Sequence, residues 1–413
     1  MKSKGNHRGT ETQRSSVRSW SLCLRASVVA LLHLLPASPA PAADIAFWDT
    51  PRHGGNSFNG QPPEAAYFRA LRATGATWAR LTFSKWKGEG RDFLIGNADD
   101  YRGIPASDLA QLRAVMDAAQ AADIKLVLVP LSLPGNRWVQ HNSDKPDERL
   151  WRERRYWDQS AAFWRDLAAA VKDHPALAGY NLLNEPTPEK GQGLDEQAAP
   201  EARRGWYARH AGTTRDLPAF YEHVIAALRS VDADTPLMLD GGWYAHAGSF
   251  SYWTPLKDAK VLYAFHMYEP YEATSAPQIK RKPQLRYPGV QVRWAGEARA
   301  FDKAALQRFL AQPFAWAQAH GVPANRLVAG ELGCVRVWED CGAYLADVLD
   351  TLNGHGAHWA FYSFREDVWE GMDYEIPPAF PAGQVYDLRE QGKGRVVPLD
   401  SPLMGVIRSR MGR

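Results

Sequence analysis

Eight short β-rich segments alternate with helical patterns along most of the chain, and this alternation constrains the fold more than any other feature. The β-rich segments are residues 45–48, 77–83, 124–131, 177–183, 236–239, 261–266, 326–330 and 358–364. Most are continuous apolar runs, which are typical of strands covered on both faces. The helical patterns are residues 62–73, 107–122, 157–172, 217–230, 302–320 and 341–355, with only a weak pattern, 251–259, in the fifth unit. The alternation predicts the α/β class and a single (β/α)8 TIM barrel.

The connections differ in length according to their direction. Each helical pattern is joined to the next strand by a few residues, whereas long connections follow several strands: 135–156, 186–216, 269–301 and 365–400. In barrels of this kind the functional site is built from the loops at the C-terminal ends of the strands. The long βα loops therefore predict that the site lies on that face.

The first 42 residues have the pattern of a secretory signal peptide. A basic stretch ends at Arg25, an apolar run covers residues 26–35, and Ala40-Pro41-Ala42 fits a cleavage site. The apolar run is shorter than the about 20 residues that a membrane span needs. We expect residues 1–42 to be removed and residues 43–413 to form one secreted or periplasmic domain without a membrane anchor. A retained signal anchor is the alternative.

The charge of the chain argues against nucleic acid as a partner. The formal net charge is +3, but the first 42 residues hold six basic residues and one acidic residue, so the remainder carries −2. A nearly neutral body has no electrostatic reason to bind nucleic acid or anionic lipid.

The 45% of apolar and 23% of charged residues are typical of a globular protein and exclude a disordered chain. We expect a monomer.

Only two cysteines, Cys334 and Cys341, lie outside the predicted signal peptide. Two cysteines cannot form a disulfide framework or a four-ligand zinc site. Because they are seven residues apart in a chain that we expect to be exported, we predict a disulfide between them. Two buried free thiols are the alternative.

Two carboxylates follow apolar segments at the predicted functional face. Glu185 ends the fourth segment and Glu331 follows the seventh. Strands four and seven lie on different sides of a barrel mouth, so the two carboxyl groups can face each other. Hydrolysis of a glycosidic bond needs such a pair, one to protonate the leaving oxygen and one to meet the oxocarbenium-like carbon. The pair therefore predicts a glycosidase.

Several motifs occur in a fixed order along these segments. They are Gly54-Gly55-Asn56-Ser57-Phe58, Ala79-Arg80-Leu81, Asn184-Glu185-Pro186, Phe265-His266-Met267-Tyr268, and Glu331 after the seventh segment. This set, from about residue 45 to 375, resembles glycoside hydrolase family 5, the cellulase family of retaining (β/α)8 glycosidases. The resemblance implies that Glu185 is the acid/base and Glu331 the nucleophile. It also implies that Asn184 holds the sugar 2-hydroxyl, Arg80 supports the nucleophile, Tyr268 lies beside it, and His266 contacts the substrate.

The chain departs from the family pattern at two positions. The family often has a histidine after strand three; here that position has none, and His141 from the following loop is its candidate replacement. On strand eight the family usually places a tryptophan under the sugar, where this chain has Tyr362, with Trp359 three residues earlier as the other candidate. Both departures concern substrate contacts and leave the two acids unchanged.

Aromatic and charged residues in the predicted loops are further candidates for sugar contacts. Amphipathic rings suit stacking on the apolar faces of sugars, or they prop up their own loops. The candidates are Trp48, Trp86, Trp138, Trp243, Trp338 and Trp369, of which we favour Trp138. The run of residues 365–370 supplies polar contacts to hydroxyl groups or is a solvated charge run.

These features together predict a retaining glycoside hydrolase that cleaves a β-linked polysaccharide or oligosaccharide. We favour an endo-β-1,4-glucanase; the alternatives are a β-mannanase, a β-1,3-glucanase, a β-glucosidase-type enzyme, and a barrel that binds polysaccharide without cleaving it. Arg80 is expected to lower the pKa of Glu331, and partial burial beside Glu331 to raise that of Glu185. The reaction requires no metal and no cofactor.

Overall fold

The structure is a computed structural model that describes residues 43–294, 297–380 and 401–412. The predicted signal peptide lies outside the described residues. The ten strands are β1 (His53–Ser57), β2 (Trp78–Thr82), β3 (Lys125–Val129), β4 (Leu177–Asn181), β5 (Leu237–Asp240), β6 (Val261–Met267), β7 (Val290–Trp294), β8 (Glu297–Phe301), β9 (Leu327–Leu332) and β10 (His358–Phe361). Eight of them close a parallel barrel in the order β1-β10-β9-β6-β5-β4-β3-β2, and β7 pairs with β8 in a separate antiparallel sheet. The predicted (β/α)8 barrel is confirmed.

Helices cover the outside of the barrel and fill its long loops. They are α1 (Ala65–Arg72), α2 (Ala106–Gln120), α3 (Arg154–Val171), α4 (Pro200–His210), α5 (Leu217–Arg229), α6 (Gly242–Ala245), α7 (Tyr271–Thr274), α8 (Ala276–Lys280), α9 (Lys303–Ala319), α10 (Cys341–Gly354) and α11 (Pro402–Arg408). Short 3-10 segments are Ile45–Asp49, Val139–Asn142, Arg149–Trp151, Ser249–Tyr252 and Ala324–Arg326. No helix among the described residues combines the length and apolarity that a bilayer crossing requires.

Two of the helices, α5 and α9, begin at an aspartate whose side chain caps them. Asp216 precedes α5 and its side chain accepts the N–H of Ala219, while Asp302 precedes α9 and accepts the N–H of Ala305. Such caps satisfy backbone donors that have no partner inside the helix. The fifth unit has only α6 and the 3-10 turn Ser249–Tyr252 between its strands, in agreement with its weak helical pattern.

The predicted first strand was wrong. Residues 45–48 belong to a 3-10 helix, Ile45–Asp49, and the first strand is His53–Ser57. The indole of Trp48 is fully buried against the interior of the barrel, and its Nε1 donates to the carbonyl of Ala178 at 3.1 Å. Trp48 is the one buried residue of this 3-10 helix, and its indole closes the N-terminal end of the barrel.

The true first strand has a weak strand signal because it is rich in glycine. Gly54 is needed there, since a Cβ at this position would lie 2.4 Å from the carbonyl oxygen of Trp78 on the neighbouring strand. Glycine in a strand interior commonly marks such a close approach of two backbones. The motif of residues 54–58 therefore forms most of strand β1 and the residue that follows it.

The register of the barrel brings polar residues to one level near its C-terminal end. Asn56 of β1 is paired with Arg80 of β2, and His266 of β6 with Glu331 of β9. Below this level the interior is apolar, with Val127, Met238, Leu262, Ala264 and Val328 among its residues. The polar layer therefore sits on a packed floor at the predicted functional face.

Candidate active site

Glu185 and Glu331 meet across the mouth of the barrel. One oxygen of each carboxyl group and a ring nitrogen of His266 all lie within 4.8 Å of one another. Glu185 follows β4 with a φ of 45°, a left-handed conformation that is uncommon for a residue with a Cβ. Its backbone N–H is held by Asp240 Oδ2 at 3.1 Å. Strained backbone of this kind is often found at functional sites.

Arg80 connects the nucleophile candidate to the rest of the polar layer. Its buried guanidinium donates from Nη1 to Glu331 Oε1 at 2.6 Å and from Nη2 to Asn184 Oδ1 at 2.7 Å. Nη2 also lies 3.1 Å from Asp240 Oδ2, and Nε donates to Asn181 Oδ1 at 2.8 Å. Charge-assisted bonds in this fixed geometry hold Glu331 and Asn184 in place.

His266 in β6 and Tyr268 directly after this strand contact the two acids. Tyr268 Oη donates to Glu331 Oε2 at 2.8 Å, so both oxygens of Glu331 accept a hydrogen bond. Nδ1 of His266 lies 2.9 Å from Glu185 Oε1. Burial lowers the pKa of His266, which favours a neutral imidazole. The structure thus brings together six of the predicted residues: Arg80, Asn184, Glu185, His266, Tyr268 and Glu331.

The electrostatic environment gives the two acids different roles. Burial, and next the negative charge of Asp240, raise the pKa of Glu185 to about 8, so this carboxyl group holds a proton at neutral pH. The neighbouring negative charge that raises the pKa of Glu185 most is therefore that of Asp240, whereas the sequence analysis expected that of Glu331. Burial raises the pKa of Glu331, whereas the charges of His266 and Arg80 lower it; the lowering effect expected of Arg80 is therefore confirmed, but burial outweighs it. Glu331 nevertheless accepts from Arg80 and Tyr268, which stabilises its ionised form.

Asp240 is a functional residue that the sequence interpretation missed. It ends β5, is fully buried, and contacts Arg80, Asn181 and the backbone of Glu185. Like the two glutamates, it follows a short apolar segment at the C-terminal end of a strand. Its position at a strand end could have identified Asp240 from the sequence. Glycosidic hydrolysis calls for only two carboxylates, however, so a third was not sought.

Trp359 does not lie at the site, so its predicted role as a sugar platform was wrong. Its indole is fully buried, stacked on His53 with ring centroids 4.3 Å apart, and Nε1 donates to Asn353 of α10 at 2.8 Å. Tyr362, the other candidate, is partly exposed and its ring centroid lies 6.3 Å from that of Tyr268. The structure therefore favours Tyr362.

His141 and Trp138 lie in the loop after β3 and are both partly exposed. Neither makes a hydrogen bond to Glu185 or Glu331 within the described part of the chain. Burial lowers the pKa of His141, with the positive charge of Lys85 as the next cause. Both residues remain candidates for sugar contacts away from the acid pair.

Most of the other loop tryptophans are structural. Trp48, Trp86, Trp243 and Trp338 are each at most 6% exposed, so their ring faces are covered by protein. Trp369 is partly exposed and lies 6.4 Å from the ring of Tyr362. Only Trp138 and Trp369 of the six candidates therefore retain surface for stacking.

Charged side chains of the run 365–370 bond to other parts of the protein. Arg365 pairs with Glu375 at 2.5 Å, and Asp367 accepts the N–H of Gly60 at 2.6 Å. Glu366 pairs with Lys85 at 3.0 Å. These contacts fasten the loop after β10 to the loops around it.

Glu185, His266 and Glu331 are also of the residue types that bind transition metals. The Arg80 guanidinium lies 2.6 Å from Glu331, however, and its positive charge opposes a cation at that position. The hydrogen bonds of Glu331 to Arg80 and Tyr268 also match what an anionic nucleophile requires. The arrangement is better suited to a pair of catalytic acids.

Paired acids on a barrel of this kind define a class of glycoside hydrolases, and the comparison with known proteins identifies the family. The chain matches the model of the cellulase family, glycosyl hydrolase family 5, over residues 43–367. The chain belongs to this family.

Individual relatives are more distant. A β-xylosidase from Phanerodontia chrysosporium is 25% identical over 327 residues, which are 75% of this chain and 57% of the relative. The chain thus spans little more than half of that protein. An endoglucanase from Pseudomonas stutzeri superimposes with a TM-score of 0.58 at 17% identity, covering 88% of this chain and 98% of its own. A Thermotoga maritima Cel5A structure with cellobiose has a TM-score of 0.60 at 14% identity, covering 88% and 99%.

Replacing Asp240 by asparagine is expected to shift the alkaline limb of the pH profile of kcat/KM to lower pH by roughly one unit. The negative charge of Asp240 raises the pKa of Glu185, so its removal makes Glu185 lose its proton at lower pH. The alkaline limb reports the free enzyme's general acid. Asp232→Asn is the matched control, because Asp232 is also buried but bonds to Tyr180. An unchanged alkaline limb in Asp240→Asn would contradict the conclusion that Asp240 raises the pKa of Glu185.

The predicted disulfide between Cys334 and Cys341 is present. It closes the segment 335–340 directly after β9. Within that segment, Arg336 donates its backbone N–H to the carbonyl of Gly371 at 2.8 Å, and just before it the backbone N–H of Cys334 donates to the Tyr374 hydroxyl at 2.9 Å. The closed segment therefore supports the loop that carries Glu366 and Trp369.

Reduction of this disulfide is expected to lower kcat by about tenfold, since small displacements near a catalytic centre are costly. The loss of stability should be modest, because so short a loop removes only about 2–3 kcal/mol of unfolded-chain entropy. Turnover and melting temperature measured with and without reductant, with Cys334→Ser/Cys341→Ser as a second test, separate the two effects. A large fall in melting temperature with unchanged turnover would oppose this account. Alkylation of both cysteines without prior reduction would exclude the bridge.

Proposed function

We propose that the protein is a retaining β-glycosidase that acts by double displacement, with Glu331 as nucleophile and Glu185 as acid/base. The observation that carries the proposal is the separation of the two carboxyl groups, whose oxygens approach within 4.8 Å. Retaining glycosidases have carboxyl groups about 5–5.5 Å apart, and inverting enzymes about 6.5–9.5 Å, to leave room for a water molecule.

In the first step, a Glu331 oxygen bonds to the anomeric carbon as the bond to the leaving oxygen breaks. Glu185 gives its proton to that oxygen, which its pKa of about 8 allows at neutral pH. Arg80 and Tyr268 hold the nucleophile by hydrogen bonds at 2.6 and 2.8 Å. The product of this step is a glycosyl ester on Glu331, with the leaving alcohol released.

In the second step, water replaces Glu331 at the anomeric carbon. Glycosylation has removed the negative charge of Glu331. Glu185, now ionised, takes a proton from the water molecule as the water oxygen bonds to the anomeric carbon. The ester bond breaks and Glu331 returns as a carboxylate. Two inversions give net retention. Neither step needs a metal or cofactor.

We propose that the substrate is a β-1,4-linked glucan cleaved at internal bonds. Support comes from the family and from structural neighbours named as endoglucanases, one of them bound to cellobiose. A β-xylosidase-type activity is the second candidate, because the curated relative carries that name. Product analysis on soluble β-1,4-glucan, β-1,3-glucan, mannan, xylan and short oligosaccharides tests both. A range of short oligomers from glucan supports the first candidate, and xylose alone from xylo-oligosaccharides supports the second.

We further propose that the mature protein is exported after cleavage behind Ala42, on the basis of the basic, apolar and small-residue pattern described above. N-terminal sequencing of the exported protein should begin at Ala43. Recovery of the full-length chain in the membrane fraction would instead indicate a retained anchor.

A further inference from the structure

A buried ion pair ties down the hydroxyl group of Tyr362. Tyr362 Oη donates to Glu366 Oε2 at 2.7 Å, and Lys85 Nζ donates to Glu366 Oε1 at 3.0 Å. The side chain of Glu366 is 1% exposed and that of Lys85 is 10% exposed. Both oxygens of one buried carboxylate therefore bond to side chains that reach it from different loops. The mechanism described above uses none of these contacts.

The tied ring is part of the wall beside the nucleophile. Its centroid lies 5.1 Å from that of Phe58, edge-on, and 6.3 Å from that of Tyr268. Tyr268 in turn donates to Glu331 at 2.8 Å. A rotation of the Tyr362 ring would therefore change the surface that faces a sugar next to Glu331.

Glu366 is itself held firmly by its neighbours in sequence. Arg365 is paired with Glu375 at 2.5 Å on one side. On the other side Asp367 accepts the backbone N–H groups of Gly60 and Gln61 at 2.6 and 2.9 Å. The carboxylate of Glu366 therefore has a fixed position from which it can hold the side chain of Tyr362 by a hydrogen bond.

We propose that Glu366, with Lys85 as its counter-ion, is a positioning residue that fixes the ring of Tyr362 as the sugar-facing wall beside Glu331. This inference rests on the proposed function. Where the family resemblance implies a tryptophan, this chain has a smaller ring with a polar tip. The hydrogen bond from that tip restricts the ring to one orientation before the sugar binds. Lys85 compensates the charge of the buried carboxylate, which would be costly if unpaired.

A double-mutant cycle on kcat/KM for an aryl β-glycoside tests the tether. Glu366→Ala and Tyr362→Phe should each lower kcat/KM by about 10-fold to 100-fold, because each breaks the same bond. The double variant should lose no more than the worse single variant, since interacting residues are not additive. Glu366→Gln keeps an acceptor for the hydroxyl and should stay within about threefold of the wild type. Tyr180→Phe is the matched control, since Tyr180 also donates to a buried carboxylate, Asp232, at 2.9 Å.

Several results would overturn the tether. One is that the losses of kcat/KM in the two single variants multiply in the double variant. Another is that Glu366→Ala is as active as the wild type, and a third is that Glu366→Gln is as impaired as Glu366→Ala. A wild-type protein inactive on every β-glycoside would instead contradict the proposed function. Crystal structures of the wild type and Glu366→Ala test the tether in either case. We expect a rotated or doubly placed Tyr362 ring in the variant, and an unchanged ring would refute the proposal.

Discussion

Glu331→Ala is expected to lower kcat by at least about 10⁴-fold, because no other group can attack the anomeric carbon at that position. Sodium azide should then restore part of the activity on substrates with good leaving groups. Azide enters the space left by the carboxylate and attacks from the same face as Glu331 would. The product should therefore be an α-glycosyl azide, identified by proton NMR.

The matched control for this variant is Glu189→Ala. Glu189 is also a fully buried carboxylate that accepts from a tyrosine, Tyr207, at 2.5 Å, and it lies outside the acid pair. We expect azide to leave its activity unchanged. Azide rescue of both variants, or a β-glycosyl azide from Glu331→Ala, would contradict the assignment of Glu331 as nucleophile.

Glu185→Ala is expected to affect substrates according to their leaving groups. Unactivated glycosides should be cleaved about 10²-fold to 10⁴-fold more slowly, which is the usual contribution of a general acid. Dinitrophenyl glycosides need no proton, so their first step should persist and a glycosyl enzyme should accumulate. Azide should speed its breakdown and yield a β-glycosyl azide. Mass spectrometry detects the intermediate, and equal losses for both substrate types would contradict an acid/base role for Glu185.

The barrel was predictable because its strands and helices differ in period and because its connections differ in length. The residues of the acid pair were predictable because strand ends converge at one face of such a fold. Strand one was missed because Gly54 and its neighbours carry little strand propensity; its pairing depends on close contact with β2. The opposite error, at residues 45–48, came from an apolar segment that forms a 3-10 helix, in which Trp48 alone is buried at the end of the barrel.

The direction in which each side chain points was the main feature that could not be predicted from the sequence. Trp359 and Tyr362 are three residues apart at the end of one strand, yet one packs against α10 and the other reaches the mouth. The partners of residues 365–370 come from distant parts of the chain, so a charged run could not be told from a set of ion pairs. The importance of Asp240 likewise arises from contacts with β2 and β4 that only the closed barrel creates.

The stereochemistry of the first product tests the central claim most directly. Proton NMR during hydrolysis of a β-glycoside by the wild-type enzyme records the anomer released before mutarotation. Double displacement through Glu331 requires two inversions, so the β-anomer should appear first and the α-anomer later by equilibration. An initial α-anomer would mean direct attack by water, and would contradict the assignment of Glu331 as nucleophile and Glu185 as acid/base.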